Sequence, residues 1–346
     1  MILICMGAMT FFGLLYLNFK GKEKKYFIIT ACIILTLYAA LRAHNLQPDI
    51  PVYVKYYRDY AKFSFQGIIE IFETDLKDPF YYFFGWCFSR VFGDVQWWLT
   101  FISLIYLICV SVIIYKESNN PFLSILAFIS LTYFEFSLSG LRQTIAMSFT
   151  ILSYFFIKKR KPFKFILLVL LASLFHRSAL FFLIAYPVAR SKIGKVHYFV
   201  AIVAIMLFVF GQSVIRNFLQ EFLFDTQYEG YVDRTVGLSI AGFVIQFSIF
   251  IFCMVYSKDV YEKYSHSTIL YNLAFIGLIF QLFSSMIAEV FRLSMYFSFF
   301  NVLLIPLAIS VEKNKRTQMI ETIAICIMFV VYMFVAGVPN YAFYWS

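Results

Sequence analysis

Runs of 16 to 21 apolar residues recur along the chain, separated by short basic clusters. As helices rising ~1.5 Å per residue, such runs come close to crossing the ~30 Å hydrocarbon core of a bilayer. Composition closes off the soluble alternatives: with 62% hydrophobic and 14% charged residues, too little polar surface is left to clothe globular domains. The longest polar interruption, Arg42 to about Pro79, is under 40 residues and cannot hold a nucleotide-binding domain. The chain therefore reads as all-α, a polytopic transmembrane helix bundle forming a single integral membrane domain over residues 1–346.

The net charge of +10 is spread over clusters between the apolar runs, which is how topology signals look and not how a nucleic-acid surface looks. The clusters at 20–25, 158–164, 190–195 and 312–316 are expected to be cytoplasmic. Ten full spans follow, at 1–19, 26–41, 95–115, 121–139, 141–157, 197–215, 239–257, 268–287, 293–310 and 318–336, with both termini outside. Residues 42–79 form an external loop, and residues 216–238 an acidic external loop carrying Glu221, Asp225, Glu229 and Asp233. The six cysteines stand singly in apolar segments, so neither a disulfide framework nor a zinc site is indicated.

Two segments do not fit as simple crossings. Residues 165–189 lie between cytoplasmic clusters, and 25 residues are too few for two spans. A re-entrant or short helical hairpin is expected there, with its tip at Phe175-His176-Arg177-Ser178. Residues 80–92 begin and end outside, which favours a short helix at the outer face. Such irregularity is tolerated in membranes mainly where it is buried in protein or lines a cavity.

Under this topology the cytoplasmic side carries 15 Lys and 3 Arg, whereas the outer side carries 3 Lys and 8 Arg. Lysine alone would satisfy charge-based orientation, so the outer arginines point to a need for planar, bidentate donors. Arg42, Arg142, Arg177 and Arg292 abut or interrupt apolar helices. Snorkelling to the interface is the bland explanation for any one of them. Four on one face better suit a half-buried cationic pocket for a pyrophosphate whose lipid tail stays in the outer leaflet.

Candidate acids and bases on that face are few. His176 at the hairpin tip is placed as a general base, against the alternative of a histidine hydrogen-bonded for packing. Asp49 and Glu289 are the other options, and Glu289, three residues before Arg292, is expected to pair with it. HExxH, paired-aspartate metal motifs, GxxxxGK[ST] and GxSxG are all absent, so no metal and no cofactor is expected.

The order of these features resembles the EpsG family of exopolysaccharide polymerases, related in role to the Wzy polymerases of O-antigen and capsule. The opening is similar: a helix, a lysine cluster, a second helix ending in Arg42, then Asp49 and, four residues on, Tyr53. The centre is more specific, with Ser139-Gly140-Leu141-Arg142-Gln143-Thr144-Ile145-Ala146 like the family's RQxIA segment and Ala172-Ser-Leu-Phe-His176-Arg177-Ser-Ala-Leu180 like its A-x-x-F-H-x-S-A-L hairpin. Arg292-Leu-Ser-Met-Tyr296-Phe297 is similar to its C-terminal R-x-x-x-Y-F. Gln47-Pro48-Asp49-Ile50 departs from the usual Gly-x-Asp-Thr.

The resemblance implies a GT-C-like, multi-spanning glycosyltransferase in a bacterial cytoplasmic membrane, its active site facing the exterior. It would polymerise polysaccharide by inverting, metal-independent transfer of a glycan from undecaprenyl pyrophosphate to a hydroxyl of another lipid-linked repeat unit. His176, Arg142 and Arg292 would be catalytic, with Arg42, Asp49, Tyr53, Gln143, Arg177, Glu289 and Tyr296 binding substrate. Its partners would be the lipid-linked oligosaccharide, membrane lipids and, as the family allows, a chain-length regulator, with no nucleic acid. A flippase or exporter of lipid-linked oligosaccharide, or an O-antigen-type ligase, are the competing expectations.

Overall fold

The computed structural model describes residues 22–45, 47, 49–74, 77–211, 236–285, 290–337 and 341–345, together with residues 2 and 7. All of the expected first span at 1–19 except residues 2 and 7, most of the acidic loop and Glu289 lie outside the described residues. What is described is helical, with one isolated β-bridge between Arg42 and Phe343. In chain order the α-helices are α1 (Lys22–Ala40), α2 (Ile50–Tyr60), α3 (Phe65–Glu70), α4 (Pro79–Phe92), α5 (Val95–Glu117), α6 (Pro121–Ser130), α7 (Tyr133–Ser139), α8 (Leu141–Lys158) and α9 (Pro162–Phe175). They continue, after a 3₁₀ segment at Arg177–Ile184, with α10 (Ala185–Val188), α11 (Lys195–Phe210), α12 (Val236–Val255), α13 (Ser257–Lys263), α14 (Ser267–Phe283), α15 (Val290–Ser298), α16 (Asn301–Ile309) and α17 (Lys315–Ala336).

Apolar periods and basic clusters locate most of these helices to within a few residues. Val95–Glu117 and Lys315–Val335 are each long and apolar enough to cross a membrane unbroken. Three further stretches qualify only as bent pairs: α6 with α7 (50°), Ile240–Val255 with α13 (61°), and α15 with α16 (41°). The sequence pattern shows the expected continuous runs at 121–139 and 293–310 but not their bends. At the first bend Thr132 adopts φ 64°, a left-handed conformation that a β-branched residue rarely takes. The 42–79 loop is itself built of helices, α2 and α3.

The described residues group into two compact units. The first contains residues 1–156, 161–180 and 337–346. There α1 packs along α5, and the terminal segment returns to the Arg42 turn through Ala43 N–H to Ala342 O (2.9 Å) and Tyr344 N–H to Leu41 O (3.0 Å). Arg42 is fully buried beneath this return. Its Nη1 donates to Ala39 O (2.7 Å) and Ser103 Oγ (3.4 Å), and Nη2 to Leu138 O (3.4 Å). These bonds occupy carbonyls at the ends of α1 and α7, which would otherwise be buried without a partner.

The second unit contains residues 157–160 and 181–336. Within it α14 and α15 approach closely. A Cβ on Gly277 would lie 2.7 Å from Ser298 N and 3.0 Å from its Cα, so only glycine permits the backbones to meet. Ser294 Oγ adds a hydrogen bond to Gly277 O at 2.9 Å, the small-residue, hydroxyl-bridged packing that membrane helices favour. In a helix interior Gly→Ala normally stabilises by about 1 kcal/mol. Here the sign should reverse: Gly277→Ala is expected to destabilise by ~1–3 kcal/mol through overpacking, read as a lower midpoint in thermal unfolding of the detergent-solubilised protein.

Candidate active site

In the first unit three separate elements converge on one carboxylate. Asp78 precedes Pro79 at the head of α4, where proline's fixed φ suits the first helical position. Its own backbone is left-handed (φ 57°), a conformation that aspartate tolerates better than most residues, at a cost of roughly 1–2 kcal/mol. That turn directs the side chain inward, away from capping its own helix, and leaves it 2% exposed.

Asp78 Oδ2 lies 3.2 Å from Arg142 Nη1 and 2.9 Å from His176 Nδ1, while Oδ1 accepts from the Arg177 backbone N–H at 3.1 Å. Arg142 sits in the first turn of α8, released by Gly140 at the end of α7. Its Nε donates to Tyr53 Oη (3.3 Å), its Nη1 also donates to Lys77 O (3.0 Å), and its guanidinium carbon lies 5.9 Å from the Tyr53 ring centre. Nη2 has no hydrogen-bond partner among the described residues. The Tyr53 ring meets Tyr81 edge-on at 5.6 Å, and Tyr81 Oη accepts from Trp98 Nε1 at 3.2 Å. Arg142 is thereby tied to α2, α4 and α5.

His176 stands where α9 stops. Its backbone is extended (φ −156°, ψ 111°), and the chain resumes as the 3₁₀ segment. The preceding Phe175 is wedged among Phe80 (5.1 Å), Phe84 (5.6 Å) and Phe149 (5.8 Å), so aromatic packing from α4 and α8 places the break. An ionised Asp78 can only accept, so Nδ1 carries the imidazole proton and Nε2 is the basic nitrogen. A guanidinium with an open edge beside an imidazole of defined tautomer can bind an anionic group and move a proton at an adjacent hydroxyl.

The EpsG family model matches residues 5–345. The chain belongs to the EpsG family. No curated protein and no solved structure matches it. EpsG membership and the apolar helices make this a membrane protein of polysaccharide biosynthesis, with a function of the exopolysaccharide-polymerase, glycosyltransferase-like type.

Of the residues picked out in this EpsG chain from sequence, Arg142, His176 and Tyr53 are brought together. Asp49 joins the neighbourhood through Ser139 Oγ at 3.5 Å, and Gln143 is buried beside Arg142. Arg177 contributes its backbone N–H to Asp78, while the residue itself is exposed. Arg42 is committed to the carbonyls described above, so binding substrate would require that packing to open. Arg292, partly buried, and Tyr296, buried, belong to α15 in the second unit.

Asp78 escapes the sequence reading. It stands beside a proline at a helix start, and that spacing marks a helix boundary more readily than a site. The signal that could have found it is electrostatic: a buried arginine and a histidine in an apolar chain require a nearby anion.

The electrostatics set a pH dependence. Burial pushes the Asp78 carboxyl up, but the His176 hydrogen bond, the His176 and Arg142 charges and the Arg177 N–H together hold it below its ordinary 3.8. A depressed carboxylate stabilises the fold fully above its unfolded value and loses that contribution as pH falls through the folded one. Asp78→Asn should therefore lower thermal stability at pH 7 and narrow its gap from the parent protein below about pH 4, as followed by unfolding midpoints across pH.

Proposed function

We propose that this EpsG-family protein is a polysaccharide polymerase acting on lipid-linked glycans at the outer face of a bacterial cytoplasmic membrane. The donor is a glycan on a polyprenyl pyrophosphate of the undecaprenyl kind, and the acceptor is a hydroxyl of another lipid-linked repeat unit. The observation that carries the reading is the pairing of Arg142 and His176 on one buried carboxylate, with the two side chains themselves buried but for a small remaining surface of 10% and 8%.

Arg142 is the donor ligand. Its guanidinium faces the pyrophosphate and takes up charge as the anomeric carbon–oxygen bond breaks, which is electrostatic stabilisation of a leaving group. His176 is the general base: Nε2 accepts the proton of the acceptor hydroxyl as its oxygen bonds to the anomeric carbon from the opposite side. The products are a lengthened glycan with an inverted anomeric centre, a protonated His176 and the lipid pyrophosphate. Tyr53 orients the guanidinium from behind. Arg292 stands as a second donor-binding candidate on the strength of its family segment alone.

Purified protein in detergent, supplied with lipid-linked repeat units, is expected to produce glycans several repeats long. A transporter has no membrane to work across under these conditions and would leave the repeats unchanged. Arg142→Lys keeps the charge but loses the planar fork that serves Tyr53, Lys77 O and Asp78 together. Elongation by this variant should fall ~10²-fold or more, with single repeat units intact on their carrier. A normal chain-length ladder from Arg142→Lys would refute the assignment.

A further inference from the structure

We propose that Asp78 is the positioning residue of this transfer reaction, acting through His176 and Arg142 without touching either substrate. The inference rests on the polymerase reading above, in which Asp78 is only the anchor of Arg142 and His176, and assigns that carboxylate a part in the reaction itself. Exposure separates the roles. Arg142 and His176 keep 10% and 8% of their side-chain surface exposed, whereas Asp78 keeps 2% and contacts both.

Its geometry suits that task. A single oxygen, Oδ2, serves both the imidazole Nδ1 at 2.9 Å and the guanidinium Nη1 at 3.2 Å, so the two groups cannot shift independently. The second oxygen is held by the Arg177 N–H, which stops the carboxylate from turning. The strained backbone of Asp78 gives a further indication. A left-handed residue immediately before a proline is maintained against local preference, as happens where a side chain must be aimed.

The chemistry follows from the charge. With Asp78 ionised, Nδ1 keeps its proton and Nε2 is the nitrogen that takes one from the acceptor hydroxyl. When Nε2 accepts that proton, the imidazolium forms against a carboxylate that is already in place. A neutral partner of the same shape preserves packing but withdraws this stabilisation, making His176 a weaker base.

The test compares purified Asp78→Asn, Asp78→Glu, His176→Ala and the Asp78→Asn/His176→Ala double variant in the detergent polymerisation assay, with thermal unfolding to establish that each is folded. His176→Ala is expected to lose ~10²–10⁴-fold in kcat, the range of general-base catalysis. Asp78→Asn should lose at least ~10-fold and move the acidic limb of its pH–rate profile to lower pH, whereas Asp78→Glu recovers part of the rate and keeps the limb near its original position. In the His176→Ala background, adding Asp78→Asn should cost less than ~3-fold, because residues acting as one unit are not additive.

A folded Asp78→Asn variant with an unmoved acidic limb would overturn the inference, as would full additivity of the two substitutions. Should Asp78→Asn fail to fold, Asp78→Glu alone and in the His176→Ala background decides the matter: a rate loss that disappears once His176 is alanine supports the inference, and one that persists in full overturns it. Wild-type elongation by His176→Ala would instead bring down the polymerase assignment of His176, a separate and recognisable failure.

Discussion

A buried carboxylate paired with a buried guanidinium governs the first unit. Neither charge is tolerable alone in surroundings this apolar, and removing one partner of such a pair typically costs ~3–5 kcal/mol. Around this constraint the turn before α4, the first turn of α8 and the end of α9 are drawn to a common point. Packing then fits around the pair, with Phe175 held by three rings and Tyr53 backed by Tyr81. The irregular backbone at His176 and Arg177 thus lies against protein, where the Arg177 N–H finds a partner in Asp78.

Two kinds of arginine emerge from a class that looks uniform in sequence. Arg42 is consumed by the fold, its Nη1 and Nη2 committed to main-chain carbonyls and Ser103. Arg142 engages Tyr53, Lys77 and Asp78 and still presents an edge. Guanidinium groups suit both tasks because five donors in a fixed plane can satisfy several acceptors at once. What separates the two is enclosure, since only a side chain that borders open space can meet a lipid-linked pyrophosphate.

The helical class, the membrane character and most helix positions were legible because hydropathy and charge are local properties of the chain. The interruption of the helix at His176 was legible for the same reason: too few residues lie between two basic clusters for two full spans. Bends were not, because Thr132 and the gap between Ser298 and Asn301 carry no proline or glycine to mark them. Arg142, His176 and Tyr53 were identifiable from residue type and family pattern. Asp78 was not, since its significance comes from Arg142 and His176, far along the chain, and no local pattern reports that proximity. Gly277 is comparable, its need for close approach set by Ser298 on the following helix.

The working of the site turns on Asp78 fixing the proton of His176 on Nδ1. Nitrogen-15 NMR of selectively labelled histidine in nanodiscs, with His176 assigned by substitution, observes this directly. The expected result is a protonated Nδ1 throughout neutral and alkaline pH with Nε2 as the titrating nitrogen, a pattern that weakens in Asp78→Asn. A neutral imidazole protonated on Nε2, or a spectrum indifferent to the loss of the Asp78 charge, would contradict it.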